Sequence, residues 1–396
     1  MAQVIDKGQR HWRSVDPLRH HREKGWDYRG RAIYHFTLPV EGRYPLFGTL
    51  EGESAETAFV RLNSFGRRVC QMLSGLAQFY KGKGYALKVL AQMVMPDHVH
   101  LVIQVLEPLP QSIGAVVRGF KSGCTKVYKE EFYCRGENAA EVHGDYQTGA
   151  AEVHGDAPVH FARIFVGRGS IWQQDAAYYH ERILHAPGQL RRMIDYVKDN
   201  PRRLWLKKHN SDLFRMHRET VLCGLPFTSL GNHFLLDWPD RQLVEVSRSA
   251  DSTSVEGRLK KVLAAAYNGA VTYTAAISDG ERLIARTIRE QGFPLVVLLA
   301  DGFPADGSPH ERYYKPGGVY FEACSKGRLL LLEPKESAYE NPTIINMVED
   351  ALRKKAETRH YAYTALPHDS KRYRFVALNE IGWLLTNRGE DGIITP

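Results

Sequence analysis

The sequence predicts two domains of different architecture: an α+β domain with an antiparallel, ferredoxin-like element order, then an α/β domain with an open sheet. Three observations predict this. The chain has 396 residues, more than one ordinary core accommodates. Its first half reads strand, helix, strand, strand, helix. Its last third carries continuous apolar runs, Pro294 to Ala300 and Leu329 to Leu332, as strands buried on both faces do. Hydrophobic content of 43% and charged content of 25% belong to a globular protein. No apolar run approaches the ~20 residues of a membrane span, so no membrane partner is expected.

Charge is unevenly placed within the net +8. Residues 1–215 hold 31 Lys and Arg against 22 Asp and Glu, whereas residues 216–396 hold 22 against 23. Basic side chains bind phosphates by releasing condensed counterions, so a nucleic-acid partner is expected for the first domain only. The five cysteines (Cys70, Cys124, Cys134, Cys223, Cys324) are scattered and form no Cys-x-x-Cys pair. With no signal-peptide core at the N-terminus, the expected location is the reducing cytoplasm.

Residues 1–30 read as a basic arm in which Trp12, Trp26 and Tyr28 are interleaved with arginines, a pattern suited to single-stranded nucleic acid or to packing on the domain. Residues 31–40 form a first strand rich in β-formers. From Ser54 to Tyr80 the apolar spacing predicts a helix, with Ser54 in a position to cap it. Tyr85 to Met95 and His98 to Val105 are the next strands, with a turn at Pro96-Asp97. Leu109 to Phe132 reads as a second helix carrying Arg118, Lys121 and Lys126, candidate DNA contacts. Residues 133–160 interrupt the pattern: Ala-Ala-Glu-Val-His-Gly-Asp occurs at 139–145 and again at 150–156. A duplication in an exposed, flexible loop explains this better than a metal repeat, since loops tolerate insertion at small cost. Pro187 to Lys198 is a further helix, limited by Pro201, and Arg202, Arg203 and Lys207 follow as candidate backbone contacts. The first domain is expected to span 31–210, a connector 211–250, and the α/β domain 251–396. In the latter, Ser278-Asp279-Gly280 lies between a strand and a helix, where main-chain donors and the helix dipole favour a phosphate.

Chemistry concentrates at two places. His98 and His100 flank Val99, and alternate side chains of a strand share a face. The two imidazoles should project together while Val99 enters the core, giving half of an open metal site. Tyr196 and Asn200 are spaced i, i+4 on one helix face, able to present a phenolic oxygen beside an amide.

Met95-Pro96-Asp97-His98-Val99-His100-Leu101-Val102 resembles the His-hydrophobic-His (HUH) strand of the single-tyrosine transposases, particularly the REP-associated tyrosine transposases. Asp195-Tyr196-Val197-Lys198-Asp199-Asn200-Pro201 resembles their tyrosine helix. Ser170-Ile171-Trp172-Gln173-Gln174, followed by Tyr178-Tyr179-His180, is similar to the segment preceding that helix. The resemblance covers residues 31–205. It implies a ferredoxin-like HUH domain that binds Mg²⁺ or Mn²⁺ through His98, His100 and Asn200. It further implies Tyr196 as the nucleophile, hairpin-forming single-stranded DNA as substrate, and a 5′-phosphotyrosine intermediate. Tyr178 and Tyr179 are rival nucleophiles that lack the Asn-Pro context. Whether one chain or a homodimer completes the site is left open by the resemblance. Tyr314-Lys315-Pro316 and Gly327-Arg328-Leu329 faintly resemble the Rossmann-like DNA-processing A and SLOG domains, which would imply a nucleotide partner at the C-terminal domain. Two alternatives stand beside the transesterase: a non-catalytic DNA-binding protein that keeps the fold, and a nucleotide-sensing protein centred on residues 251–396.

Overall fold

The computed structural model describes residues 2–6, 9–15, 25–133, 169–173, 180–300, 302–303 and 318–387. The chain divides into two compact units, Met1–Leu206 and Lys207–Pro396. Both mix α and β structure. At the N-terminus, β1 (Ala2–Asp6) and β2 (Gln9–Val15) pair as an antiparallel two-stranded sheet.

The first unit is built on β3 (Ile33–Pro39), which lies inside a four-stranded sheet. The hairpin β4 (Gly48–Glu51) and β5 (Phe59–Leu62) follows, then α1 (Ser64–Ser74) and α2 (Leu76–Lys81). Next come β6 (Leu87–Val94), β7 (His98–Val105) and α3 (Ile113–Val127). The strand β8 (His180–Ile183) leads to α4 (Gln189–Lys198) and α5 (Asn200–His209). The sheet order is β6-β7-β3-β8, antiparallel throughout.

Strand alternation divides the residues of this sheet between two layers. Tyr34, Phe36 and Leu38 of β3 and Val99, Leu101 and Ile103 of β7 are buried with Phe65, Val69 and Leu73 of α1 and Val116, Val117 and Phe120 of α3. The intervening β7 residues face the other way. There Val102 packs with Leu184 and with Met193 and Val197 of α4, flanked by Met93 and Tyr196. Cross-strand register sets Thr37 opposite His100 and Pro39 opposite His98, so His35 and Thr37 share the α4 face with both histidines.

The helix expected over 54–80 begins only at Ser64. Its first ten residues close the β4–β5 hairpin, in which Ser54 and Thr57 bond each other across the turn. Asn63 is the true cap, its side chain accepting from the Gly66 amide at 2.8 Å. Phe59 and Leu62 match a helical stripe by spacing, but the alternation of Phe59-Val60-Arg61-Leu62 is equally that of a strand. Pro201 does not end the tyrosine helix. The break falls at Asp199, and Pro201 sits in the first turn of α5, where its missing amide costs nothing. Residues 134–168, with both copies of the duplication, and Tyr178 and Tyr179 lie outside the described residues.

The second unit holds β9 (Met216–Leu222), β10 (Leu225–Gly231), β11 (Arg241–Val244), α6 (Ser252–Tyr267), β12 (Val271–Thr274), α7 (Asp279–Glu290) and β13 (Leu295–Leu298). It continues with α8 (Gly318–Ser325), β14 (Leu329–Pro334), α9 (Glu336–Tyr339), α10 (Pro342–Thr358) and α11 (Lys371–Thr386). Its sheet runs β11-β12-β13-β14-β10-β9; the first four strands are parallel, and β10 and β9 join antiparallel. Val296, Leu298, Leu330 and Leu332 pack with α10 and α11 residues such as Val348 and Ile381, while the alternate residues Leu295, Val297, Leu329 and Leu331 are also buried. Burial on both faces explains the unbroken apolar runs. The stretch 211–250, expected as a connector, supplies β9, β10 and β11, half the strands of this sheet. Pro226 and Gly231 masked those strands in the sequence, since both residue types weaken a strand reading.

Candidate active site

The His98 and His100 rings converge on the α4 face of the sheet. Their Nε2 atoms are 3.1 Å apart. Two neutral imidazole nitrogens at that distance cannot both present lone pairs unless a proton or a cation lies between them. His98 Nδ1 is 2.5 Å from Asp97 Oδ1, so the carboxylate accepts a hydrogen bond from Nδ1–H and the Nε2 lone pair of His98 points at His100. His100 is 2% exposed, and its Nδ1 lies 3.0 Å from Thr37 Oγ1 and 3.1 Å from His35 Nε2. A Nδ1–H donated there leaves the His100 Nε2 lone pair facing that of His98. The pair therefore fits two ligands of one cation, oriented by Asp97 on one side and by Thr37 and His35 on the other. Burial acts to raise the Asp97 carboxyl pKa, but His98 and Arg43 beside it outweigh burial and hold it below the usual carboxylate value. Among the described residues, no group of three or more His, Cys, Asp or Glu side chains is arranged to hold a metal.

Tyr196 packs against His100 and His35 on this face. Its ring centroid is 5.5 Å from that of His100 and 6.2 Å from that of His35, edge-on to both. Histidines and tyrosine thus come together within one chain. The helix start that places Tyr196 is built locally. Gly188 takes a left-handed φ of 71°, and Gln189 Oε1 accepts from the amides of His185 and Ala186. At the other end, Asn200 is 3% exposed and its Nδ2 donates to the carbonyls of Tyr196 (2.8 Å) and Val197 (3.5 Å). Burial pushes the Tyr196 phenol pKa above its ordinary value; Arg203, a hydrogen bond with Asn200, Arg43 and Arg182 all act in the opposite direction.

The candidate DNA contacts separate into groups. Arg203 is not a surface residue: it is 6% exposed, with its guanidinium carbon 5.4 Å from the Tyr196 ring centroid. Arg202 grips Asp199 through two bonds of 2.6 and 3.2 Å and locks the α4–α5 junction. Lys121 is 9% exposed, and burial lowers its ammonium pKa to about 8, with Glu41 pulling it back up. Arg118 and Lys126 are exposed, but they ride on α3, which covers the opposite face of the sheet from Tyr196. Lys207 lies on α5, in the second unit. Arg43 and Arg182, which sequence reasoning missed, are the exposed charges that act on the tyrosine. The β3–β8 register carries a signal for Arg182, and nothing local carries one for Arg43.

In the second unit, Ser278 and Glu281 form a capping box at the start of α7. The buried Glu281 carboxylate accepts from the amides of Val246, Ile277 and Ser278 at 3.0, 2.6 and 3.2 Å. The chain's own carboxylate therefore occupies the place of a phosphate at Ser278-Asp279-Gly280, and a Cβ on Gly280 would meet Val246 at 2.6 Å. Arg328 bonds the Gly292 carbonyl at the N-terminal end of the parallel strands, whereas open α/β sheets bind ligands at the C-terminal end. Lys315 lies outside the described residues.

No helix among the described residues is long and apolar enough to cross a membrane. No family model and no curated protein matches the chain. Among solved structures, the chain is similar to a REP-associated tyrosine transposase bound to a REP hairpin, with a TM-score of 0.25, 16% identity, and coverage of 48% of this chain and 74% of that one. It is also similar to a candidate transposase of Deinococcus radiodurans R1, with a TM-score of 0.22, 16% identity, and coverage of 46% of this chain and 96% of that one. Likenesses of this size carry no argument, and the functional reading rests on the geometry of the site.

Proposed function

We propose that the first unit is a metal-dependent transesterase of single-stranded DNA, a transposase-like enzyme that cleaves and rejoins hairpin-forming strands through a 5′-phosphotyrosine. The observation that carries this is one juxtaposition: Tyr196 packed 5.5 Å from His100, on the sheet face where His98 and His100 bring two Nε2 atoms within 3.1 Å. In this reading the four-stranded antiparallel sheet is that of a ferredoxin-like HUH domain, and the second unit is Rossmann-like.

His98 and His100, with the Asn200 amide oxygen as the expected further ligand, would hold Mg²⁺ or Mn²⁺, which when bound would supply Lewis-acid stabilisation of charge on the phosphate and on the leaving oxygen. Two imidazole donors favour Mn²⁺ over Mg²⁺. Tyr196 Oη would bond to phosphorus as the bond from phosphorus to the 3′ oxygen breaks. The phenol loses its proton to solvent, and the 3′ oxygen takes one up. Arg203 and Asn200 favour the phenolate that burial disfavours. Asn200 also fixes the helix turn beneath the ring through its bond to the Tyr196 carbonyl. The phosphotyrosine conserves the energy of the broken ester, so the reverse attack reseals the strand without ATP.

The test is a denaturing gel of the full chain incubated with labelled DNA hairpins and Mn²⁺. A protein-linked label that disappears in Tyr196→Phe and with chelator is expected. A label that survives Tyr196→Phe would overturn the reading.

A further inference from the structure

Two exposed arginines surround the tyrosine site without belonging to its proposed chemistry. Arg43 ends the short turn Glu41–Arg43 that follows β3. It takes a left-handed φ of 57°, directly after Gly42 at 61°. A non-glycine residue holds that conformation only where its surroundings impose it. Here they do so from both sides. On one side Val40 N donates to the Asp97 carbonyl and Phe47 N to the Pro96 carbonyl. On the other, Glu41 N donates to the Ile171 carbonyl and Gln173 N to the Pro39 carbonyl, while Val40 pairs with the buried Trp172. The clamped turn aims Arg43 at Asp97, 3.6 Å from Oδ2, on the carboxylate that also holds His98, yet leaves 44% of its side chain exposed. Arg182 approaches from the opposite strand. It lies across from His35 on β8, on the face that carries both histidines, and it is exposed.

We infer that Arg43 and Arg182 form the subsite that holds the scissile phosphodiester, one guanidinium at the His98 end of the sheet and one on the β8 edge. This rests on the transesterase reading and names the part of the site that grips the strand. Two other arginines near the tyrosine are placed differently: Arg203 is buried against the ring and Arg202 is bonded to Asp199. Guanidinium matches a phosphodiester because its planar donors reach two oxygens at once, and a preset backbone lowers the entropy lost on binding. Both charges also act to lower the Tyr196 phenol pKa, against the larger effect of burial.

The experiment uses the full chain in a Tyr196→Phe background with chelator, so that only binding is read. The probe is a labelled DNA hairpin with a single-stranded tail, titrated over a range of salt. Arg43→Ala and Arg182→Ala should each weaken binding and flatten the slope of log affinity against log salt by ~0.7, the value for one phosphate contact on a single strand. Arg43→Lys should keep the slope and lose affinity. Arg118→Ala, on the far side of the sheet, should change neither. Thermal unfolding checks each variant, and Arg182→Ala alone suffices should Arg43→Ala fail to fold. Unchanged slopes in the site variants, or an equal loss in Arg118→Ala, would overturn the subsite. Adduct formation by the wild-type chain is scored separately. Slope losses without an adduct would sink the transesterase and leave the two arginines a phosphate-binding site that holds no scissile bond; an adduct with unchanged slopes would sink the subsite and leave the transesterase.

Discussion

Val99 separates His98 from His100 by one residue, and on a strand that spacing is enough to put both rings on one face and the valine in the core. This part of the site was legible in the sequence, because side-chain direction in a strand follows from parity alone. What surrounds the pair was not legible. His35 and Thr37 reach His100 through cross-strand register, and Arg43 comes close through a turn whose shape depends on Pro96, Asp97 and Trp172. Arg203 looked like a surface arginine beside a lysine pair, and only the break at Asp199 turns it against Tyr196. At this scale Asp97 is the decisive neighbour. Because it orients His98 by accepting a hydrogen bond from Nδ1–H, Asp97→Asn should weaken Mn²⁺ binding by about 10- to 100-fold in calorimetric titration. Equal affinities in the two proteins would remove Asp97 from the site. Gly66 offers a structural counterpart. A Cβ there would lie 2.0 Å from the Phe47 carbonyl, so Gly66→Ala should lower the unfolding temperature by forcing α1 away from the turn that leads into β4.

The elements were readable where period and boundary signals agree. The second histidine strand, the α3 helix and the helix of Tyr196 fall where alternation, apolar stripe and Pro-Gly punctuation place them. They were unreadable where two periods fit the same residues, as in the β4–β5 hairpin, or where Pro and Gly lie inside strands, as in β10. In the second unit the apolar runs gave the parallel strands, but the electrostatics of α11 had no local signal. Burial pushes the Glu380 carboxyl up to about 7, and Glu245 and Asp350 add to this while Lys354 opposes it. Between its usual 4.5 and about 7, the folded chain holds more protons at this group than the unfolded chain does. Stability from Glu380 is therefore present at low pH and is lost as pH rises through that window. Glu380→Gln should then be more stable than the wild type at pH 8, by about 1–2 kcal/mol after solvent screening, with the difference shrinking toward pH 5. Chemical denaturation at the two pH values checks this, and a constant difference would mean that Glu380 is solvated.

Over the whole chain, the basic excess and both chemical motifs fall in residues 1–215, and the tyrosine, the histidine pair and the two flanking arginines all belong to the first unit. The second unit keeps its most phosphate-like helix start for its own Glu281. The placement of the basic excess and of both motifs in the first unit was therefore legible in the sequence, whereas the start of the second unit was not, because β9 to β11 read as a connector. In the proposed reaction Tyr196 becomes covalently joined to DNA. The most direct measurement is mass spectrometry of the trypsin-digested adduct formed on a DNA hairpin with Mn²⁺. Cleavage after Arg192 and Lys198 isolates Tyr196 in the peptide Met193–Lys198. The predicted result is a 5′-phosphonucleotide mass on that peptide, located at the tyrosine by fragmentation. The same mass on the peptide that carries Tyr178 and Tyr179, with Met193–Lys198 unmodified, would contradict the account.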